Sequence, residues 1–207
     1  MNNPWTEIPL SDYENHMKLD SVGQLSALSE MMQAQFAAYP ARSVMILGIA
    51  GGNGLEHIRK GQFKKIYGVD VNADYLQITM QRHPELRDVL ECLCVDLRAE
   101  ADGLPKAELL IADLLIEYVG CACFEKIVRQ VCPNYVSCIV QVNCAEYWIS
   151  DSPYVQTFAG LEQIHHAVEE RVLIKAMRET DYSPIGAAER AMPNGKKLLR
   201  LDFKKSI

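Results

Sequence analysis

The chain has 207 residues, a formal net charge of −6, 49% apolar residues and 23% charged residues. That size and composition fit one soluble domain, or one domain with a small appendage, able to bury a sizeable core. They exclude a membrane span, which needs roughly 20 consecutive apolar residues, and disfavour nucleic acid, because the dense basic clusters are only short pairs such as Lys64-Lys65 and Lys196-Lys197.

The first residues lack the basic start and apolar run of a secretory signal, so the expected compartment is the cytoplasm. Residues 1–40 read as an N-terminal helical arm. Ser11 with Glu14, and Ser21 with Gln24, match the capping-box spacing. The second pair predicts a helix from Val22 to about Ala38, closed by Pro40. From residue 41 to 207 strands and helices alternate. Val44–Leu47 reads as a buried strand and Leu55–Arg59 as the opening of a helix. Lys65–Val69 is a strand ending at Asp70, and Ala73–Gln81 a helix broken by Pro84. Val89–Val95 is a strand ending at Asp96, Glu108–Ala112 a fourth, Phe124–Val131 a helix and Tyr135–Val142 a fifth strand.

Five such alternations predict an open, doubly wound α/β domain whose mostly parallel sheet carries helices on both faces. Phe158–Met177 has the spacing of one long helix. His165, His166 and the run Glu169-Glu170-Arg171 would then sit on a charged helix face, with no metal implied. Asn194-Gly195 is a strong hairpin signal between two extended stretches, which predicts an antiparallel pair at the sheet edge. Seven cysteines lie from Cys92 to Cys144 in C-x-C or isolated spacing among apolar residues, and read as reduced, buried hydrophobes.

Four glycines, at 48, 51, 52 and 54, interrupt the chain where the first strand should pass to a helix. A strand-to-helix loop at the carboxyl end of a parallel sheet is where open α/β proteins bind ligands, and glycines let ligand atoms approach the main chain. No lysine follows them, so a P-loop is excluded. A dinucleotide fingerprint starting at Gly52 would put His57 where close helix packing wants a glycine, and Glu56 near the pyrophosphate. Both features favour a nucleoside without phosphates over NAD.

The stretch "ILGIAGGNG" resembles the first motif of the class I S-adenosylmethionine-dependent methyltransferases, an acidic residue followed by G-x-G-x-G. Gly52 and Gly54 match its last two glycines, Ala50 replaces the first, Gly48 replaces the acid, and Gly51 adds backbone freedom. The resemblance covers about Ser43 to the C-terminus. It implies a Rossmann-like sheet of seven strands and S-adenosylmethionine as cofactor, with S-adenosylhomocysteine as product. It also implies that Asp70, followed by Val71, accepts hydrogen bonds from the ribose, and that Asp96-Leu97 holds the adenine. "ELLIADLLIEYV" resembles the fourth-strand motif, which brings Asp113, Glu117 and Tyr118 to the rim of the active site.

Methyl transfer is an in-line displacement on an activated donor, so the protein mainly aligns the acceptor, and a base is needed only for an acceptor that must lose a proton. Glu117 is the first candidate for that base, Asp113 the second, and Tyr118 a positioning hydroxyl. Tyr13, His16 and Met17 share a short helix of the arm, from which Tyr13 and Met17 would close over the cofactor as a lid. Tyr147, Trp148 and Tyr154 are candidates for shaping the acceptor pocket. The expected reaction is methyl transfer to an oxygen or nitrogen atom of a small molecule. The alternative is a non-catalytic protein that keeps the fold to bind S-adenosylmethionine or a partner, prompted by Gly48 and Ala50. The acceptor's identity and the oligomeric state have no signal in the sequence.

Overall fold

A computed structural model describes residues 3–142 and 148–206. The arm supplies helices α1 (Leu10–Lys18) and α2 (Gln24–Ala38). The alternating part runs β1 (Ser43–Leu47), β2 (Lys65–Asp70), α3 (Ala73–Arg82), β3 (Leu90–Cys94), α4 (Leu97–Glu100), β4 (Leu109–Asp113), α5 (Ile116–Val119), α6 (Cys121–Val131) and β5 (Tyr135–Val142). Helix α7 (Glu170–Arg178) and the hairpin β6 (Tyr182–Ala191) and β7 (Lys197–Lys205) complete it. The seven strands stand in the order β3-β2-β1-β4-β5-β7-β6, parallel from β3 to β5, with β7 antiparallel to both neighbours.

Side chains alternate across the sheet, so the near-continuous apolar strands feed two cores. Met45, Leu47, Leu110 and Ala112 join Phe124, Ile127, Val128 and Val131 of α6 and Leu173 and Met177 of α7 on one face. Val44, Ile46, Leu109 and Ile111 join Met32 and Phe36 of α2 and Leu76 of α3 on the other. Each buried Val, Leu, Ile, Phe or Met among them contributes about 1.5–3 kcal/mol relative to exposure. Among the described residues, no helix is long and apolar enough to cross a membrane.

Four local expectations are corrected. Ser11 does not cap α1: Pro9 precedes the helix with a fixed φ of −65°, which starts it at Leu10. Ser21 belongs to a turn closed by Leu19 O and ended by the left-handed Gly23, so α2 begins at Gln24 without a side-chain cap. After the glycine loop there is only a 3₁₀ turn, Leu55–His57, in place of a helix. Its polar groups are engaged elsewhere: Glu56 accepts from Gly54 N and from Ser29 Oγ, both at 2.8 Å, and Asn53 and Gln62 donate to carbonyls of α2. Helix α2 thus covers the face that a helix after β1 would cover. Finally, Phe158–Met177 is no single helix but a 3₁₀ run, Val155–Gln163, then an irregular stretch, then α7. Val155, Phe158, Leu161 and Ile164 recur every three residues, the spacing that eclipses in a 3₁₀ helix; Phe158 and Leu161 are buried against Ile8 of the arm.

Candidate functional site

The strand order reverses between β1 and β4, and the crevice outside their carboxyl ends is where this topology binds ligands. A cavity of about 650 Å³ occupies it. Gly48 and Ala50 after β1, Asp70 and Val71 after β2, Asp96 and Leu97 after β3, and Asp113 at the end of β4 all line it, with Tyr13 and Tyr118. Residues from Tyr13 to Tyr118 are thereby brought together at the carboxyl ends of four neighbouring strands.

Asp70 is 8% exposed, and each of its oxygens accepts a main-chain N–H at 2.9 Å, from Ala50 and from Asn72. Burial raises its pKa, and these hydrogen bonds oppose the rise. The carboxylate therefore fixes the glycine loop against β2 while its residue lines the cavity. Asn72 caps α3 by accepting from Asp74 N and Tyr75 N, and Asp96 caps α4 by accepting from Arg98 N at 3.1 Å.

The loop glycines divide by what they face. Gly48 lies in the left-handed region, as does Ala50, at φ +48°. Gly51, Gly52 and Gly54 do not line the cavity; their close approaches are to side chains. A Cβ on Gly51 would lie 2.5 Å from Arg82 Nη1, one on Gly52 2.9 Å from the His83 ring, and one on Gly54 2.6 Å from Met32 Sδ. At Gly51 the obstacle is an ion pair that pins the arm: Arg82 grips Glu14 of α1 with both terminal guanidinium nitrogens, Nη1 and Nη2, and also donates from Nη1 to Gly51 O at 3.2 Å.

A second cavity of about 590 Å³ adjoins the first and shares Trp5, Tyr13, Leu114 and Tyr118 with it. Met17 and Glu117 line this one and not the first, together with His16, Trp148, Phe158 and His165. Aromatic rings meet edge to face around it: Trp5 with Tyr13 and with Tyr118, at 5.6 and 5.0 Å between centroids, while Trp148 stacks on His165 at 4.2 Å. Tyr118 stands on the boundary between the two spaces.

Two buried carboxyls flank that boundary. Glu117 is 4% exposed; Oε1 accepts from Gln141 N at 2.7 Å, and Oε2 is buried with no hydrogen-bond partner among the described residues. Burial pushes its pKa up to about 7, against partial compensation from that N–H. Asp113 Oδ1 accepts from Gln35 Nε2 at 2.9 Å, Oδ2 is likewise unpartnered, and burial raises this carboxyl also to about 7. An unsatisfied buried carboxylate oxygen costs folding free energy, so two at one sheet edge call for an explanation. Perturbed carboxyls of this kind cluster at functional sites.

No protein-family model matches this sequence, and no curated protein matches it. Solved structures do. The [4+2]-cyclase SpnF superimposes with a TM-score of 0.65 at 10% identity, over 87% of this chain and 81% of that one. The geranyl diphosphate C-methyltransferase of Streptomyces coelicolor A3(2), with Mg2+, geranyl diphosphate and S-adenosyl-L-homocysteine bound, gives 0.65 at 12% identity, over 87% and 80%. The N-methyltransferase NodS of Bradyrhizobium japonicum WM9 gives 0.63 at 11%, over 88% and 96%. The fold is that of the class I S-adenosylmethionine-dependent methyltransferases.

Within this methyltransferase fold, several lining residues lie outside the sequence expectations. Asn3 and Trp5 line the first cavity from the arm, where Asn72 Nδ2 holds Trp5 O at 3.0 Å and Tyr75 Oη holds Ile8 O at 2.8 Å. His16, expected only as a neighbour of Tyr13, is buried and hydrogen-bonds Ser152 Oγ through Nδ1 at 2.7 Å. His165 lines the second cavity because the segment around it is irregular, its neighbour's N–H donating to Glu117 O at 2.6 Å. A charged helix face was the expectation there. Trp148 lines that cavity, Tyr154 packs beside it, and Tyr147 and Cys144 lie outside the described residues. Among the described residues, no group of three or more His, Cys, Asp or Glu side chains is placed to hold a metal.

Proposed function

We propose that this protein binds S-adenosylmethionine in the first cavity and transfers its methyl group to a small molecule held in the second. The observation that carries this reading is the placement of Asp70, Asp96 and Leu97 around one crevice, adjoining a second space lined by Glu117, one of whose carboxyl oxygens has no partner among the described residues. A crevice lined from the ends of β1, β2, β3 and β4 and closed by the arm is where this topology takes a nucleoside. Asp70 would accept from the ribose, Asp96 from the adenine amino group, and Gly48 and Ala50 would offer main-chain atoms. Asp113 Oδ2 would receive a donor from the amino-acid end, where the usual motif acid is replaced by Gly48. When bound, this cofactor supplies a methyl group already activated on sulfur. The chain's own work is to align the acceptor, exclude water with Trp5 and Tyr13 of the arm, and hold or receive a proton at Glu117.

The test is transfer of labelled methyl from S-adenosylmethionine to members of a small-molecule panel. Label in a product supports the reading, whereas cofactor binding with no transfer to any member favours a binding protein. That second reading has its own support in the loop: Gly51, Gly52 and Gly54 serve packing contacts within the chain, and a protein with this fold is named for a cyclisation.

A further inference from the structure

We infer that the acceptor is a small amine, carried on a flat or apolar body and bound in the second cavity with its nitrogen against Glu117. This rests on the reading of the first cavity as the cofactor site and adds the substrate class. Three features of the cavity select an amine. Its walls are rings: Trp5, Tyr13, Tyr118, Trp148 and Phe158 all line it, and aromatic rings attract a desolvated cation to their faces. Among the described residues its one acidic lining group is Glu117, nine-tenths buried with Oε2 lacking a donor, and an ammonium N–H would satisfy it. Among the described residues no lysine or arginine lines the space, so a carboxylate or phosphate acceptor would find no cation in direct contact.

The nearby basic groups stand outside the lining or are neutral. Lys196 stands behind the wall, its Nζ donating to Trp148 O at 2.5 Å, and burial lowers its pKa to about 8. Burial, aided by that charge, lowers the pKa of both lining histidines, His16 and His165, and so keeps them neutral near pH 7. Neutral imidazoles carry no charge to pair with an ammonium, so Glu117 is the described lining group that offers an anion to the substrate nitrogen. In the reaction the substrate ammonium gives one proton to Glu117 Oε2. The freed nitrogen lone pair then forms a bond to the methyl carbon as the carbon–sulfur bond breaks, its electron pair remaining on sulfur. The methylated ammonium leaves and Glu117 returns its proton to water.

The experiment uses the whole chain saturated with S-adenosylhomocysteine, whose own binding heat is recorded first. Matched probes are then titrated: benzylamine against benzyl alcohol and benzoate, and tyramine against tyrosol. The expected result is at least tenfold tighter binding of the amines, lost in Glu117→Gln and retained in Glu117→Asp, with S-adenosylhomocysteine affinity unchanged. The wild-type comparison stands even if the Gln variant fails to fold. Methyl transfer to the amines should fall about 100-fold or more in that variant. Equal affinities, a preference for benzoate, or no amine binding at 10 mM overturns the amine assignment and leaves the cofactor reading intact. Absence of the first binding heat overturns both.

Discussion

Replacing Glu117 by Gln should stabilise the unliganded protein at alkaline pH. In the folded chain this carboxyl ionises at about 7, because burial opposes its charge, whereas in an unfolded chain it ionises at its ordinary 4.5. Between those values the folded state binds more protons than the unfolded state, so stability falls as pH rises through the interval and levels off above about 7. At about 1.4 kcal/mol per tenfold change in proton affinity, the interval amounts to a ceiling of about 3 kcal/mol. The Gln amide keeps the oxygen that accepts from Gln141 N, and the cost of its unmatched NH₂ does not depend on pH. Urea unfolding followed by the fluorescence of Trp5 and Trp148, at pH 4.5 and pH 8, isolates the ionisation. The stability difference between variant and wild type should move in the variant's favour by up to about 3 kcal/mol between the two pH values. His16, His165 and Lys196 titrate in both proteins and largely cancel; Asp113 cancels in part, because the Glu117 charge adds a small share to its raised pKa. A difference that does not change with pH would show that Glu117 ionises as an exposed carboxylate does, and the buried-base account would fail.

Gly54→Ala should cost at least about 2 kcal/mol of stability in the unliganded protein, since φ is +93° and the new methyl would meet Met32 Sδ at 2.6 Å; Met32→Ala should restore part of the loss, and an unchanged melting temperature would contradict the packing role. Ala50→Gly should give a small gain, about 0.5 kcal/mol by chemical denaturation, because relief of a left-handed alanine outweighs added freedom of the unfolded chain; a clear loss would mean that the Ala50 methyl packs usefully. Asp70→Ala should weaken S-adenosylhomocysteine binding and also lower unliganded stability by about 1–3 kcal/mol, because Ala50 N and Asn72 N lose their acceptor; a loss of affinity with stability intact would give Asp70 a purely ligand-facing role. Amide exchange across residues 11–20 should slow on S-adenosylhomocysteine binding, since Tyr13 and Met17 line the two cavities; equal rates would exclude a lid.

The sheet was legible because parallel strands covered on both faces read as apolar runs ended by aspartates, and those same aspartates mark the crevice. Asp70, Asp96 and Asp113 come from strand ends, where local sequence fixes position along the sheet. Residues whose place depends on long-range packing were hidden. The glycines announced a close approach, but nothing local says that Arg82, His83 and Met32 are the groups approaching. Trp5 and His165 reach the cavities only because the arm folds back over the sheet and the Val155–Gln163 run winds as a 3₁₀ helix. The period of three in that run was a signal, outweighed by the length and apolar content of the whole stretch. Helix α2 taking the layer next to β1 is a tertiary choice that left Leu55–His57 as a single turn.

The account turns on what the crevice between β1 and β4 accepts. Calorimetric titration of the full chain with S-adenosylhomocysteine, with NAD as the control, tests this most directly. Saturable binding at one ligand per chain and none of NAD is the predicted result. No heat with the thioether, or equal binding of NAD, would contradict it.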